Sequence, residues 1–194
     1  MTYKVVDLGS VVRIVGGGTP SKSNPNFYKG EIPWATVRDM GSDYLESTEL
    51  KINEEAVRQS STNIIPKNNV IIVTRVGLGK VSIIKQDTAI NQDLRGIIAN
   101  DTNELDTKYL FYWFKSISQK IIDAGRGATV HGVTLPFIRS LSLPLPDISE
   151  QRKIVNRFES LFVEIDKSII LTNRKSESLI QLKNATLKQS FNVD

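Results

Sequence analysis

Two rhythms of hydrophobic and polar residues divide this chain, and the change falls near Pro144-Leu145-Pro146. In the first stretch the apolar runs are short, rich in β-branched residues and bounded by Gly, Asn or Asp, which is the pattern of strands closed by turns. Residues 32–37, 70–74, 81–84 and 94–98 are predicted strands on that ground. Helical spacing appears at residues 53–59 and again at 107–122, where Leu110, Phe111, Phe114, Ile117 and Ile121 recur on one face. Strands and helices interleave without a regular β–α alternation, so the predicted fold class is α+β, a mixed β-sheet domain over residues 1–145. Trp34 and Phe114 are expected in its core.

In the second stretch no Gly or Pro occurs from Asp147 to Phe191. Asp147-Ile148-Ser149-Glu150 has the spacing of a capping box set directly after a proline, which marks a helix start. One long helix is predicted for the second unit, residues 146–194, spanning roughly 65 Å if continuous. A helix of that length cannot fold into a small core, so it should protrude or pair. Its apolar stripe falls into two patches: Ile154, Phe158, Leu161, Ile165 and Ile169, then Leu179, Leu182, Leu187 and Phe191. Residues 172–178 between them are wholly polar. Ile154 and Leu187, Phe158 and Leu182, and Leu161 and Leu179 each lie nearly equidistant from a point close to Ile170. Two copies lying antiparallel about a twofold axis there would lay each patch on the other, an intermolecular coiled coil. The competing reading packs the helix along its own domain or on a different protein; the homodimer is preferred.

Composition narrows the function. Hydrophobic residues at 40% and charged residues at 24% fit a folded domain rather than a disordered one. Cysteine is absent, which removes disulfides, thiolate nucleophiles and cysteine-ligated zinc and accords with a reducing compartment. No apolar run approaches the ~20 residues of a membrane span, and Met1-Thr2-Tyr3-Lys4-Val5 carries no signal-peptide core, so a cytoplasmic location is expected. The net charge of +4 leans toward polyanionic partners. Its distribution says more: Lys108, Lys115, Lys120, Arg126 and Arg139 face only Asp123 in that segment.

Catalytic motifs fail one by one. Asn24-Pro25-Asn26-Phe27 lacks the second proline of a base-gripping methyltransferase loop, and no Gly-rich cofactor turn accompanies it. Gly77-Leu78-Gly79-Lys80 lacks phosphate-loop spacing, with Val81 where a Mg²⁺-binding hydroxyl belongs. Asp39 or Asp43 with Glu49 and Lys51 imitates a metal-dependent endonuclease, the rival reading of the chain. The lone histidine, His131, excludes His-rich metal sites, so no catalytic or metal-binding residue is assigned. Binding chemistry remains. Thr19, Ser21 and Lys22 sit in a Gly-rich loop suited to a phosphate, and Arg75 and Lys80 flank a Gly turn. Asn91, Gln92 and Arg95 are side chains suited to bidentate base reading. Lys120 lies on the basic helix, and Arg126, Thr129 and His131 belong to the loop after it.

These segments, in order, resemble the specificity subunits of type I restriction–modification systems. The matching stretches are Gly18-Thr19-Pro20-Ser21, Tyr28-Lys29-Gly30-Glu31-Ile32-Pro33-Trp34 with Asp39 beyond, and Arg75-Val76-Gly77. Asn91-Gln92-Asp93-Leu94-Arg95 and the loop around Gly127 follow. Most specific is Leu143-Pro144-Leu145-Pro146, leading through Asp147-Ile148-Ser149 into Glu150-Gln151-Arg152-Lys153-Ile154-Val155. The resemblance covers essentially the whole chain. Members of that family usually carry two recognition domains and two helical spacers, whereas this chain has one of each; the Met1 start and helical end favour a natural half-subunit. The resemblance implies a non-catalytic protein that reads one half of a bipartite double-stranded DNA site. Lys22, Arg75, Lys80 and Lys120 are expected on phosphates, and Asn91, Gln92, Arg95, Arg126, Thr129 and His131 at base edges. It also implies antiparallel pairing of the spacer helices and docking of methyltransferase subunits, with a restriction subunit as a further partner. No cofactor is expected on this chain; S-adenosylmethionine, ATP and Mg²⁺ would belong to those partners.

Overall fold

The run Val70-Ile71-Ile72-Val73 is buried at every position, as a strand covered on both faces must be. It forms β7 (Val70–Val73) at the centre of a five-stranded sheet. Its neighbours are β8 (Val81–Ile84) on one side and β10 (Leu94–Ala99) on the other. The edges are β2 (Val12–Gly16), beside β10, and β4 (Tyr44–Leu45), parallel to β8. A second sheet has the order β5 (Leu50–Ile52), β3 (Ile32–Ala35), β9 (Thr88–Ile90) and β6 (Asn63–Ile65), with β3 and β9 parallel. The structure, a computed structural model, describes residues 3–126 and 132–191. Both sheets mix parallel and antiparallel pairs, which makes the domain α+β as its sequence pattern predicts.

Ala35, Met40, Leu45, Ile65, Ile71, Val73, Ile84, Ile90 and Leu94 form one apolar cluster, drawing on strands of both sheets. Phe27, Trp34, Ile52, Ala56 and Ala89 form a second, to which α2 (Glu54–Arg58) contributes Ala56. Trp34 is buried there, and Phe114 is buried on α3, matching their expected core roles.

The helix predicted over 107–122 is two helices, α3 (Thr107–Ser116) and α4 (Ser118–Arg126). Asp106 starts α3 by accepting from the Lys108 and Tyr109 amides at 2.9 and 3.0 Å. It ends where the Ser116 hydroxyl donates back to the Trp113 carbonyl at 2.7 Å, competing for the last backbone acceptors. The buried face of α3, including Leu110, Phe111 and Phe114, packs on β7 and β8.

Two short strands the apolar pattern does not reveal sew the ends of the globular unit together. These are β1 (Val5–Asp7) and β11 (Ser142–Pro144), which pair antiparallel with Val5 opposite Pro144. Short helices α1 (Leu8–Val11) and α5 (Leu135–Arg139) pack on each other beside them. The Tyr109 hydroxyl donates to the Pro144 carbonyl at 2.7 Å, tying β11 to α3.

The long helix is α6 (Ile148–Phe191), 44 residues without a break. Asp147 caps it, accepting from the Glu150 amide at 2.9 Å. The chain divides into two compact units, Met1–Arg152 and Lys153–Asp194. The first turn of α6 therefore belongs to the globular unit, and Gln151 explains why. It is fully buried; its amide donates to the Glu104 and Pro146 carbonyls, both at 2.8 Å, and accepts from the Asp106 amide at 2.9 Å. Along the second unit, Leu161, Ile165, Ile169, Leu179, Leu182 and Leu187 are all exposed. Among the described residues, no helix is long and apolar enough to cross a membrane.

Candidate nucleic-acid interface

Glycine brings the predicted loop to the centre of the domain. Gly17 and Gly18 run against the backbone at the end of β9, where a Cβ on Gly17 would stand 2.2 Å from both the Ile90 and Asn91 carbonyl oxygens. A Cβ on Gly18 would meet Ser61 equally closely. The Gly18 amide is already used, donating to the Ile90 carbonyl at 3.0 Å. These glycines permit a close passage of two chain segments; they are not a free phosphate cradle. Past them, Thr19 donates to the Gln92 side chain, 73 residues along the chain. Ser21 is exposed and shares a 2.7 Å hydrogen bond with Ser23, and Lys22 is exposed beside it. The Asn24 side chain caps a 3-10 turn holding the buried Phe27, so that segment is the turn its sequence suggests.

The turn between β9 and β10 supplies the opposite wall. Asn91 is only 6% exposed; its oxygen accepts from the Asp93 amide at 3.1 Å and its nitrogen donates to the Asp93 carboxylate at 3.2 Å. Asp93 also pairs with Arg75 at 3.4 Å. Arg95 donates to the Gln92 and Leu94 carbonyls at 2.8 and 2.7 Å. Its pKa is lowered, first by burial and then by the Arg75 charge, with Asp93 opposing. A guanidinium stays protonated regardless, so its bonds to these carbonyls hold the turn in one shape. Of the predicted base readers here, Gln92 is exposed, whereas Asn91 serves the turn itself.

Thr19, Lys22, Asn91 and Gln92 thus share one recess of about 430 Å³, floored by Tyr28 and Trp34. The recess is also lined by Asp93 and Val76, by Asp39 and Glu49 of the rival reading, and by Arg38, which the sequence pattern does not single out. Asp93 had a further cue, the Asn-x-Asp spacing of a side-chain-capped turn; Arg38 had none. A second recess, of about 380 Å³, is lined by Arg75, Val76, Leu78, Ile122 and Arg126. Lys80 reaches the Val37 carbonyl at 3.4 Å. Lys120 is exposed on α4 and lines neither recess. Thr129 and His131 lie outside the described residues.

The endonuclease reading finds no site. Asp39 spends its carboxylate on structure, accepting from the Thr36 amide and hydroxyl at 2.8 and 2.9 Å and from the Glu49 amide at 2.8 Å. Asp43 pairs with Lys115 at 2.7 Å, and Lys51 with Glu31 at 2.6 Å. Glu49 faces Arg38 at 3.9 Å. Among the described residues no group of three or more His, Asp or Glu side chains gathers to hold a metal.

The family model described as "Type I restriction modification DNA specificity domain" matches residues 1–180. The specificity subunit of the type I restriction enzyme EcoR124I/EcoR124II from Escherichia coli is 36% identical over 179 residues, covering 89% of this chain and 42% of that protein. That of the MjaIX enzyme from Methanocaldococcus jannaschii is 33% identical, covering 78% and 35%. The chain spans less than half the length of these relatives. Among solved structures, one described as the structural basis of complex assembly and conformational transition of the type I R-M system superposes with a TM-score of 0.77 at 20% identity. It covers 97% of this chain and 45% of the other. The HsdS subunit from Thermoanaerobacter tengcongensis superposes with a TM-score of 0.68 at 20% identity, covering 84% and 38%. At such identity the superpositions speak for the fold. The family match over residues 1–180 takes in the recess-forming loops and most of the long helix, so the chain belongs to the type I restriction–modification DNA specificity family.

Proposed function

We propose that this chain serves as a specificity component of a type I restriction–modification system, reading one half of a bipartite duplex target without catalytic chemistry of its own. The observation that carries this is the extent of the family match, which takes in the globular unit and most of α6 together. Lys22, Lys80 and Lys120 would fix register on phosphates, while Gln92 and Arg126, with Thr129 and His131 beyond them, would read base edges. Arg75 and Arg95 would act from within the turn they hold. With one recognition unit per copy, two copies would reach a full target as a homodimer. The two apolar patches of α6, Leu161 to Ile169 and Leu179 to Leu187, are exposed in the single chain, and antiparallel pairing of the helix would cover both. Methyltransferase subunits would dock on that assembly and bring S-adenosylmethionine. A restriction subunit would bring ATP and Mg²⁺, and the whole would work in the cytoplasm.

Selection of duplexes from a random pool, with and without the methyltransferase subunit, tests the reading. The expected winners share an interrupted inverted repeat. Winners without common sequence in both arms would reject it, and cutting of plasmid by the pure chain with Mg²⁺ would restore the endonuclease reading.

A further inference from the structure

The turn between β7 and β8 exposes a side chain that the core does not use. Val76 is 72% exposed, more than any other large hydrophobic residue of the globular unit among the described residues. Turn tips ordinarily carry polar residues or glycine, so a bare valine there calls for a partner.

Its exposure does not come from a loose turn. Gly77 and Gly79 hold φ values of +92° and +89°, left-handed backbone that a side chain would strain. A Cβ on Gly77 would lie 2.9 Å from Val37 Cγ1, and one on Gly79 2.8 Å from Ile122 Cδ1. Leu78 turns inward against Gly125, and Lys80 reaches the Val37 carbonyl. The turn is clamped from both sides, and Val76 is what it holds outward. Valine has a stiff χ1, so covering it sacrifices little side-chain entropy.

The surroundings say what covers it. Val76 lines both recesses, one holding Lys22, Arg38 and Gln92 together with Asp39, Glu49 and Asp93, the other Arg75 and Arg126; Arg38, Arg75 and Arg126 each pair with a carboxylate. The recesses are the ones the DNA-reading role gives to a duplex, and in the major groove a duplex offers one apolar group, the thymine 5-methyl. Resting on the DNA-reading role above, we propose that Val76 is a specificity-determining residue whose γ-methyls pack against the 5-methyl of a thymine while Lys22 engages the backbone.

The test uses the full chain at fixed salt on the target that pool selection yields, with each thymine replaced in turn by deoxyuridine. One thymine per half-site should weaken binding about fourfold when its methyl is removed, the worth of one buried methyl-sized group. Val76→Ser should bind thymine and uracil duplexes alike at that position, with the salt dependence of the parent. Val76→Thr, which keeps one methyl, should retain part of the preference. A half-site without a sensitive thymine overturns the assignment, as does a uracil penalty that survives Val76→Ser. Failure to bind any duplex would instead overturn the DNA-reading role on which it rests.

Discussion

Gly17 shows how little room one residue can have. Its missing Cβ would stand 2.2 Å from two backbone carbonyl oxygens, and backbone cannot rotate aside as a side-chain tip can. Gly17→Ala should therefore cost about 3 kcal/mol in urea unfolding, the upper range of overpacking penalties. Gly41 serves as the control, because a Cβ there would meet no heavy atom within 4 Å. Gly41→Ala should change stability by no more than about 0.5 kcal/mol. Equal losses in the two variants would mean that segment 16–18 can part from the end of β9. The same crowding explains why candidate residues could be picked by type yet not by role. Asn91, Gln92 and Arg95 are near neighbours in sequence with similar hydrogen-bonding chemistry. One is buried as a turn cap, one is exposed on the recess, and one braces the turn with its guanidinium. The Asn-x-Asp spacing marks the cap, but the contacts of Gln92 with Thr19 and of Asp93 with Arg75 come from distant segments that no local pattern encodes.

At the scale of elements, legibility follows length and burial. β7 and β8 announce themselves as β-branched runs because their faces are covered, and α6 does so because nothing interrupts it. β1, β5, β6, β9 and β11 have three residues each, too few for a period to show, and partners far along the chain set their pairing. Gln151 belongs to this scale as well. The Glu-Gln motif at the start of α6 reads from sequence as a family mark; in the structure its glutamine satisfies three backbone groups that no secondary structure pairs. Gln151→Leu fits the space but leaves the Asp106 amide and the Glu104 and Pro146 carbonyls without this partner. The expected loss is about 3 kcal/mol, since each buried unsatisfied group costs about 1–3 kcal/mol before relaxation and water entry. Urea unfolding followed by tryptophan fluorescence would measure it, and a variant as stable as the parent would show that these groups find other partners.

For the whole molecule, the proposed dimer makes a claim about affinity that neither unit could make alone. Two recognition units joined through α6 would convert the second half-site contact into an intramolecular event, worth about 10²–10⁴ in affinity without any added contact. Leu161 and Leu182 lie in opposite apolar patches, so Leu161→Asp with Leu182→Asp would place a carboxylate in both halves of an antiparallel seam. Both residues are exposed in the single chain, so the substitutions should leave the globular unit folded. Light scattering should then report a monomer. The parent should prefer a duplex with two half-sites over one with a single half-site by at least about a hundredfold. The variant should bind both duplexes with the same affinity, that of one recognition unit on one half-site. A dimeric variant would remove the antiparallel seam from consideration. A monomeric variant that kept the preference would mean that the second half-site is read by something other than a second copy of this chain.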